Sequence, residues 1–357
     1  MNSNLPVVIG EVEPIPDQVA EHQPTHRSRS GGGSALSVAE LIRCAQENPP
    51  EPILDGLLHV DDVLLIHGTE ESYKSVFITQ IGESIALGRP LLRYWRAQRQ
   101  RRVGIVNTEM HSSMLGKRLA AMFRAPAPPP ENLLFMSPES MKLWRRQEPG
   151  GKFDAIHRWI TDHGIEVLMI DTANDFFRGV ENPSDEGSVG AFFDRLRGLP
   201  VEARVLVRHD RKKKEIDAES HSNELIRGSA EWKEDPEAIL YLGRKDKRTH
   251  EVRLDVGKLR YGTKPGPFEL WFDAGTFRLT PLPPVIAVLE QGRRTRQEII
   301  AECSRRFGIE ERSATESINA LRSVLREDRQ GHNVTFELDP ERCAATEWAG
   351  FLTSPDR

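Results

Sequence analysis

The chain has 357 residues, enough for one large α/β domain and a small appendage. Hydrophobic residues make up 38% and charged residues 29%, and 49 Lys+Arg against 54 Asp+Glu leave a formal net charge of -5. The longest apolar runs, such as Val63-Leu64-Leu65-Ile66, are too short to span a bilayer, and no positively charged, then apolar, opening marks a secretory signal. A globular cytoplasmic protein without membrane contact is expected.

Residues 1–34 mix Pro, Ser, Gly, Glu and Gln, lack hydrophobic periodicity and read as a flexible arm. Ser37-Val38-Ala39-Glu40 then forms a capping box, in which hydroxyl and carboxylate satisfy reciprocal backbone donors. A short helix follows, stopped by Pro49 and Pro50. The three cysteines, Cys44, Cys303 and Cys343, are widely spaced and show neither metal-ligand spacing nor an even disulfide framework.

From Val60 short apolar runs alternate with helical patterns. Val63–Ile66, Val103–Val106, Val167–Ile170 and Val205–Val207 read as strands buried on both faces of a parallel sheet. Phe77, Ile81 and Ile85 stand at four-residue spacing in a helix ended by Gly88. After His209 come the strand-like stretches Ala238–Leu242, Val252–Leu259, Phe268–Phe272 and Phe277–Leu279, which extend the sheet as an antiparallel meander. Pro281, Pro283 and Pro284 mark a linker. Beyond it, three helix-sized segments precede a strand pair, a winged-helix order. Capping boxes at Thr295–Glu298 and Ser313–Glu316 start the second and third helices. Leu321, Val324 and Leu325 give the third an inner face, and Arg312, Arg322 and Arg326 face outward. The division is therefore an arm over 1–34, a nucleotide-binding α/β domain over 35–280 and a winged-helix-like domain over 281–357.

Chemistry concentrates in Gly68-Thr69-Glu70-Glu71-Ser72-Tyr73-Lys74-Ser75, directly after a buried strand and opening a helix. Such a loop turns backbone N–H groups toward phosphates, and the helix start adds a positive dipole end. Lys74 is placed to pair with the β/γ-phosphates of ATP and Ser75 to hold Mg²⁺. The run fits G-x-x-x-x-G-K-[ST] except that Tyr73 replaces the second glycine, and Glu70 and Glu71 suit an anion site only if they point outward. The alternative is an ordinary strand–loop–helix turn with an incidental Lys-Ser pair. Asp171 ends the strand Val167–Ile170, where an acid can order Mg²⁺ or simply cap a helix. Glu109, in Asn107-Thr108-Glu109, is the candidate for polarising the attacking water, or else a surface carboxylate.

In order, the P-loop and the strands ending in Thr-Glu-Met, Ile-Asp and Arg-His-Asp, with a later Arg-Gly-Ser, resemble the RepA-like hexameric replicative helicases. These belong to the RecA and DnaB ATPase group common on plasmids and phages. The likeness covers roughly residues 36–280 and rests on motif order. It implies a RecA-like fold, ATP hydrolysis between subunits of a homo-oligomeric ring, a hexamer in those helicases, and single-stranded DNA as partner. It also gives His209 a γ-phosphate-sensing or coupling role. Arg227, Lys258 and Arg260 become cations reaching a neighbour's nucleotide, unless Lys258 and Arg260 merely share an exposed strand face. The basic run Arg211–Lys214, followed by polar Glu215–Glu224, falls where RecA-type proteins carry a DNA-facing loop, or is a solvated loop.

The expected function is an ATP-hydrolysing, DNA-associated motor or helicase of a mobile-element replication system. A nucleotide-gated DNA-binding scaffold with feeble hydrolysis is the alternative that Tyr73 favours. A small-molecule kinase is disfavoured by the C-terminal helices and the late meander.

Overall fold

The computed structural model describes residues 36–124, 128–136, 149–177, 186–210, 230–244, 250–330 and 333–343. The arm over 1–34, Arg227 and the basic run 211–214 with the polar stretch after it lie outside the described residues. The chain divides into a unit over residues 1–49 and a unit over residues 50–357.

In the first unit, α1 (Val38–Glu47) opens on the expected capping box: the Glu40 backbone N–H donates to Ser37 Oγ at 3.2 Å, and the Ser37 N–H donates to Glu40 at 2.7 Å. These contacts hold the Glu40 carboxyl below the usual range.

The second unit begins with the short antiparallel pair β1 (Pro52–Leu54) and β2 (Leu58–His59). Then follow β3 (Val63–Gly68), α2 (Lys74–Leu87), β4 (Val103–Asn107), α3 (Ser112–Met122), β5 (Leu133–Phe135), α4 (Pro149–His163), β6 (Val167–Asp171), α5 (Glu186–Arg197) and β7 (Ala203–His209). After the short helix α6 (Glu231–Glu234) come β8 (Ala238–Arg244), β9 (Glu251–Leu259), β10 (Phe268–Asp273) and β11 (Arg278–Thr280). All nine strands from β3 to β11 form one sheet in the order β11-β10-β9-β8-β3-β7-β6-β4-β5. The six from β8 to β5 are parallel, so Ala238–Leu242, expected to open the antiparallel meander, instead joins the parallel part beside β3, and only β9, β10 and β11 continue as the meander. The fold is mixed α/β with a parallel-rich sheet, and it fits a RecA-like P-loop core.

The unbroken apolar runs are explained by burial on both faces. Alternate residues point to opposite sides of a strand, so Leu64 and Ile66 join one core with Phe77, Ile81 and Ile85 of α2. Val63 and Leu65 join the other, with Ile156 and Ile160 of α4 and Val189, Phe193 and Leu196 of α5. Helix α2 is apolar nearly all round because it is buried, and Gly88 ends it in the left-handed conformation, as its position predicts.

The last segment holds α7 (Pro284–Leu289), β12 (Arg294–Thr295), α8 (Arg296–Phe307), α9 (Glu311–Ala320), the hairpin β13 (Leu325–Gln330) and β14 (Asn333–Leu338), and α10 (Pro340–Cys343). The three strands pair in the order β12-β14-β13 around an apolar core of Ile286, Ile299, Phe307, Ile318 and Phe336. Thr295 and Glu298 form the expected capping box. Ser313 and Glu316 do not. Helix α9 starts earlier, after an extended Glu310 with no side-chain cap, which puts Ser313 inside the helix and lets Glu316 pair with Arg312 at 2.9 Å. Helix α9 also ends at Ala320, so Leu321, Val324 and Leu325 enter the core from the turn and strand that follow it. Arg312, Arg322 and Arg326 are exposed, as expected.

Candidate functional site

Parallel strands deliver their C-terminal ends to one edge of the sheet, where open α/β folds place their ligands. Here Gly68 of β3 lies opposite His209 of β7 and Leu242 of β8, and Asn107 of β4 lies opposite Asp171 of β6. Four strands thus converge on the loop 68–75. Gly68 is required there: a Cβ on it would sit 2.0 Å from the Leu242 carbonyl oxygen.

The loop is closed from inside by its lysine. Lys74 is buried, and its ammonium donates to the carbonyls of Gly68 at 3.0 Å and Thr69 at 2.5 Å and to Ser72 Oγ at 3.2 Å. Burial pushes its pKa down to about 8, against the opposing pull of the Asp210, Asp171, Glu109 and Glu70 carboxylates. Ser72 is buried and returns its own hydroxyl to the Thr69 carbonyl at 2.8 Å. Thr69, Glu70 and Glu71 are exposed, so the two acids do point outward, and Glu71 faces Arg244 at 3.8 Å.

Tyr73 occupies the left-handed region, φ 63° and ψ 23°, at the residue before α2. That is the conformation a glycine adopts without penalty and a tyrosine rarely does. Its ring stacks on Phe272 with centroids 4.2 Å apart and planes 13° from parallel, and the Arg244 guanidinium lies 5.5 Å from its centroid.

Behind the loop, Asp171 is buried and bonded to the Ser75 hydroxyl. Burial pushes its pKa up to about 6; the Ser75 hydrogen bond opposes the rise, Glu109 adds to it, and His209 and Lys74 oppose it. Its Oδ1 is buried without a hydrogen-bond partner among the described residues. A carboxylate oxygen in that position, beside a serine hydroxyl, fits a hard divalent cation such as Mg²⁺, which takes oxygen ligands and keeps several waters. Ser75 and Asp171 would hold it, and its charge would neutralise phosphate oxygens.

Glu109 is aimed by its neighbours. The Asn107 side-chain oxygen accepts the backbone N–H groups of Glu109 at 3.2 Å and Met110 at 2.8 Å, a local turn that brings the glutamate over the sheet edge. Thr108 stitches the two acidic strands together: its N–H donates to the Asp171 carbonyl at 2.7 Å, and its hydroxyl accepts the Thr172 N–H at 3.0 Å. Across the gap, Glu109 Oε1 lies 3.1 Å from His209 Nε2. A cavity of about 600 Å³ opens above these groups, lined by Lys74, Ser75, Glu109, Asp171, His209 and Arg244.

The loop 68–75, Glu109, Asp171 and His209 are therefore brought together, while Lys258 and Arg260 stand elsewhere. Lys258 is opposite Ile239, near the start of β8, whereas the loop adjoins Leu242 toward its end. Ile239 pairs with Leu65, three residues before Gly68, so Lys258 lies about 10 Å from the loop along the sheet. Lys258 Nζ donates to the carbonyls of Lys233 at 3.0 Å and Glu234 at 2.7 Å, and Arg260 donates to Glu237 at 3.2 Å. Burial lowers the Lys258 pKa, and the neighbouring Arg260 charge adds to this. Sequence reasoning missed Asn107, Thr108, Phe272 and Arg244. The first two were legible as polar residues closing an apolar strand, but Phe272 and Arg244 come from β10 and the end of β8, whose approach to the loop no local pattern announces.

Among solved structures, the chain is similar to a KaiC-like protein from the hyperthermophilic archaeon Pyrococcus horikoshii. The identity is 13% and the TM-score 0.47, over 64% of this chain and 94% of that one. No curated protein matches the chain. A family model described as an AAA domain matches residues 33–215, more than half of the 357. That span contains the phosphate loop, Glu109, Asp171 and His209, and the chain belongs to this AAA-domain family of P-loop ATPases.

Proposed function

We propose that the protein is an oligomeric ATPase that works on DNA, a motor or helicase of a mobile-element replication system, with RecA-like nucleotide sites shared between subunits. The observation that carries this reading is the separation of Lys258 and Arg260 from the chain's own phosphate loop across the sheet. Seated on Lys233, Glu234 and Glu237, these cations are not directed at their own loop, but in a head-to-tail ring they would meet a neighbour's. There they would stabilise charge on the transferred phosphoryl oxygens, as Arg227 would if it also reaches across.

Within one subunit the roles divide by chemistry. Lys74 exchanges its loop carbonyls for phosphate oxygens. Ser75 and Asp171 hold Mg²⁺. Glu109 accepts a proton from the attacking water, and His209, within hydrogen-bonding distance of Glu109, senses the γ-phosphate through it. Helices α7, α8 and α9 with the hairpin β13–β14 are read as part of a winged-helix-like domain over 281–357, and the exposed Arg312, Arg322 and Arg326 favour DNA as its partner.

The test is phosphate release with and without single-stranded DNA, alongside sizing with a non-hydrolysable ATP analogue. DNA-stimulated release from an oligomer supports the motor. Nucleotide binding with background release in the presence of DNA selects the nucleotide-gated scaffold instead.

A further inference from the structure

We propose that Tyr73 is a positioning residue of the phosphate loop whose left-handed backbone is held in place by the C-terminal helix α8, acting through Asp273 and Phe272. This rests on the reading that loop 68–75 binds a nucleoside triphosphate.

The chain of contacts is continuous. Arg306, in the last turn of α8, makes a two-pronged ion pair with Asp273 at 3.1 and 2.6 Å, and both side chains are at most 5% exposed. The backbone closes the same joint, because the Ala274 N–H donates to the Arg306 carbonyl at 2.7 Å. Asp273 is also fixed by the Gly275 N–H at 2.8 Å and the Thr276 hydroxyl at 2.8 Å, so the turn after β10 cannot drift from α8. Phe272 is the next residue along, and its N–H donates to the His250 carbonyl at 2.8 Å. The Phe272 ring is the one stacked on Tyr73, and its edge meets Phe277 with centroids 5.1 Å apart.

A tyrosine with φ 63° sits in a conformation that costs free energy compared with the ordinary regions. Left alone, it would relax and carry the adjoining N–H groups of Lys74 and Ser75 away from the direction a phosphate needs. The stack on Phe272 and the Arg244 guanidinium supply the opposing force. A glycine would need no such support. Replacing glycine by tyrosine thus exchanges an autonomous loop for one whose shape depends on how α8 seats against β10, and anything that binds or moves the C-terminal segment alters nucleotide affinity.

The experiment measures the dissociation constant of a fluorescent, non-hydrolysable ATP analogue with Mg²⁺ in the full chain. Arg306→Gln and Phe272→Leu are each expected to weaken binding roughly fivefold, and Phe272→Tyr, which keeps the stack, to leave it unchanged. In a Tyr73→Gly background the same Arg306→Gln change is expected to have no further effect, since the loop no longer needs its support. A merely structural Arg306 would weaken both backgrounds equally, and that result overturns the proposal. So does unchanged affinity in Phe272→Leu, which also decides the matter if Arg306→Gln fails to fold. A wild-type chain that binds no analogue overturns the nucleotide reading itself, and this proposal with it.

Discussion

The two ends of the parallel sheet place their charges differently, in ion pairs at one end and around a cavity at the other. At the starts of the strands, Arg101 is fully buried but donates to Glu202 at 2.6 Å and Glu51 at 2.5 Å, while Arg99 pairs with Glu166 and Glu202, both at 2.7 Å. Arg204 sends three hydrogen bonds to the carbonyls of Leu196, Arg197 and Leu199, and burial still lowers its pKa. Burial opposes the Arg99 charge, yet hydrogen bonding to Glu166 and the Glu202 charge outweigh it and raise its pKa. At the ends of the strands, the charges line a cavity instead. Lys74 is pushed down and Asp171 up. One edge spends its charges on stability; the other holds them ready for a ligand that brings opposite charge.

Substitutions at each end should therefore separate function from stability. The largest effect expected is that of Glu109→Gln: phosphate release falls by about a thousandfold while affinity for the ATP analogue stays within a few fold, read by single-turnover assay and titration. Lys74→Ala comes next, weakening analogue binding about a hundredfold, or about 3 kcal/mol, with little loss of thermal stability. At the other end, Arg101→Met reverses the pattern. It removes two charge-assisted hydrogen bonds from Glu202 and Glu51, although Arg99 still pairs with both, and costs about 3 kcal/mol in a urea titration, yet leaves analogue affinity within twofold.

A smaller effect, with the opposite sign, belongs to Asp171. Its folded-state pKa of about 6 lies above the ordinary 3.8, so the folded chain holds this proton to higher pH than the unfolded one. Stability is then lost as pH rises between about 4 and 6, and above pH 6 the penalty for the buried carboxylate is complete. Without nucleotide, Asp171→Asn should gain about 2 kcal/mol at pH 7.5 and almost nothing near pH 4, as read from urea midpoints. The wild type should lose Mg²⁺-dependent analogue affinity as pH falls below about 6. An Asp171→Asn variant that is less stable than wild type at pH 7.5 would dissolve the contrast between the two ends.

Much of the ligand edge was legible because parallel strands place their last residues side by side. Once Val63–Ile66, Val103–Val106, Val167–Ile170 and Val205–Val207 read as strands, Glu109, Asp171 and His209 had to lie near the loop. The Arg99–Arg102 run shows where such reading stops. As four polar residues it suggests a solvated surface, yet Arg101 is buried because Glu51 and Glu202, far away in sequence, converge on it. Tyr73 was visible as a departure from a glycine pattern, but its partners Phe272 and Arg244 were not, since they arrive on β10 and β8 from 170 residues or more further along the chain. The start of α9 was misjudged for a local reason: Ser-x-x-Glu spacing also occurs inside a helix, and here Glu316 pairs with Arg312 instead.

The claim that one chain's loop is completed by another chain's cations is tested most directly by mixing two inactive variants. Lys74→Ala lacks the phosphate-binding lysine but keeps Arg260, and Arg260→Ala keeps the lysine but lacks the cation. Mixed in equal amounts and allowed to exchange subunits, they should recover roughly a quarter of wild-type phosphate release, because one in four junctions then joins an intact loop to an intact Arg260. A mixture no more active than its separate components, from subunits shown to co-assemble, would contradict the shared site.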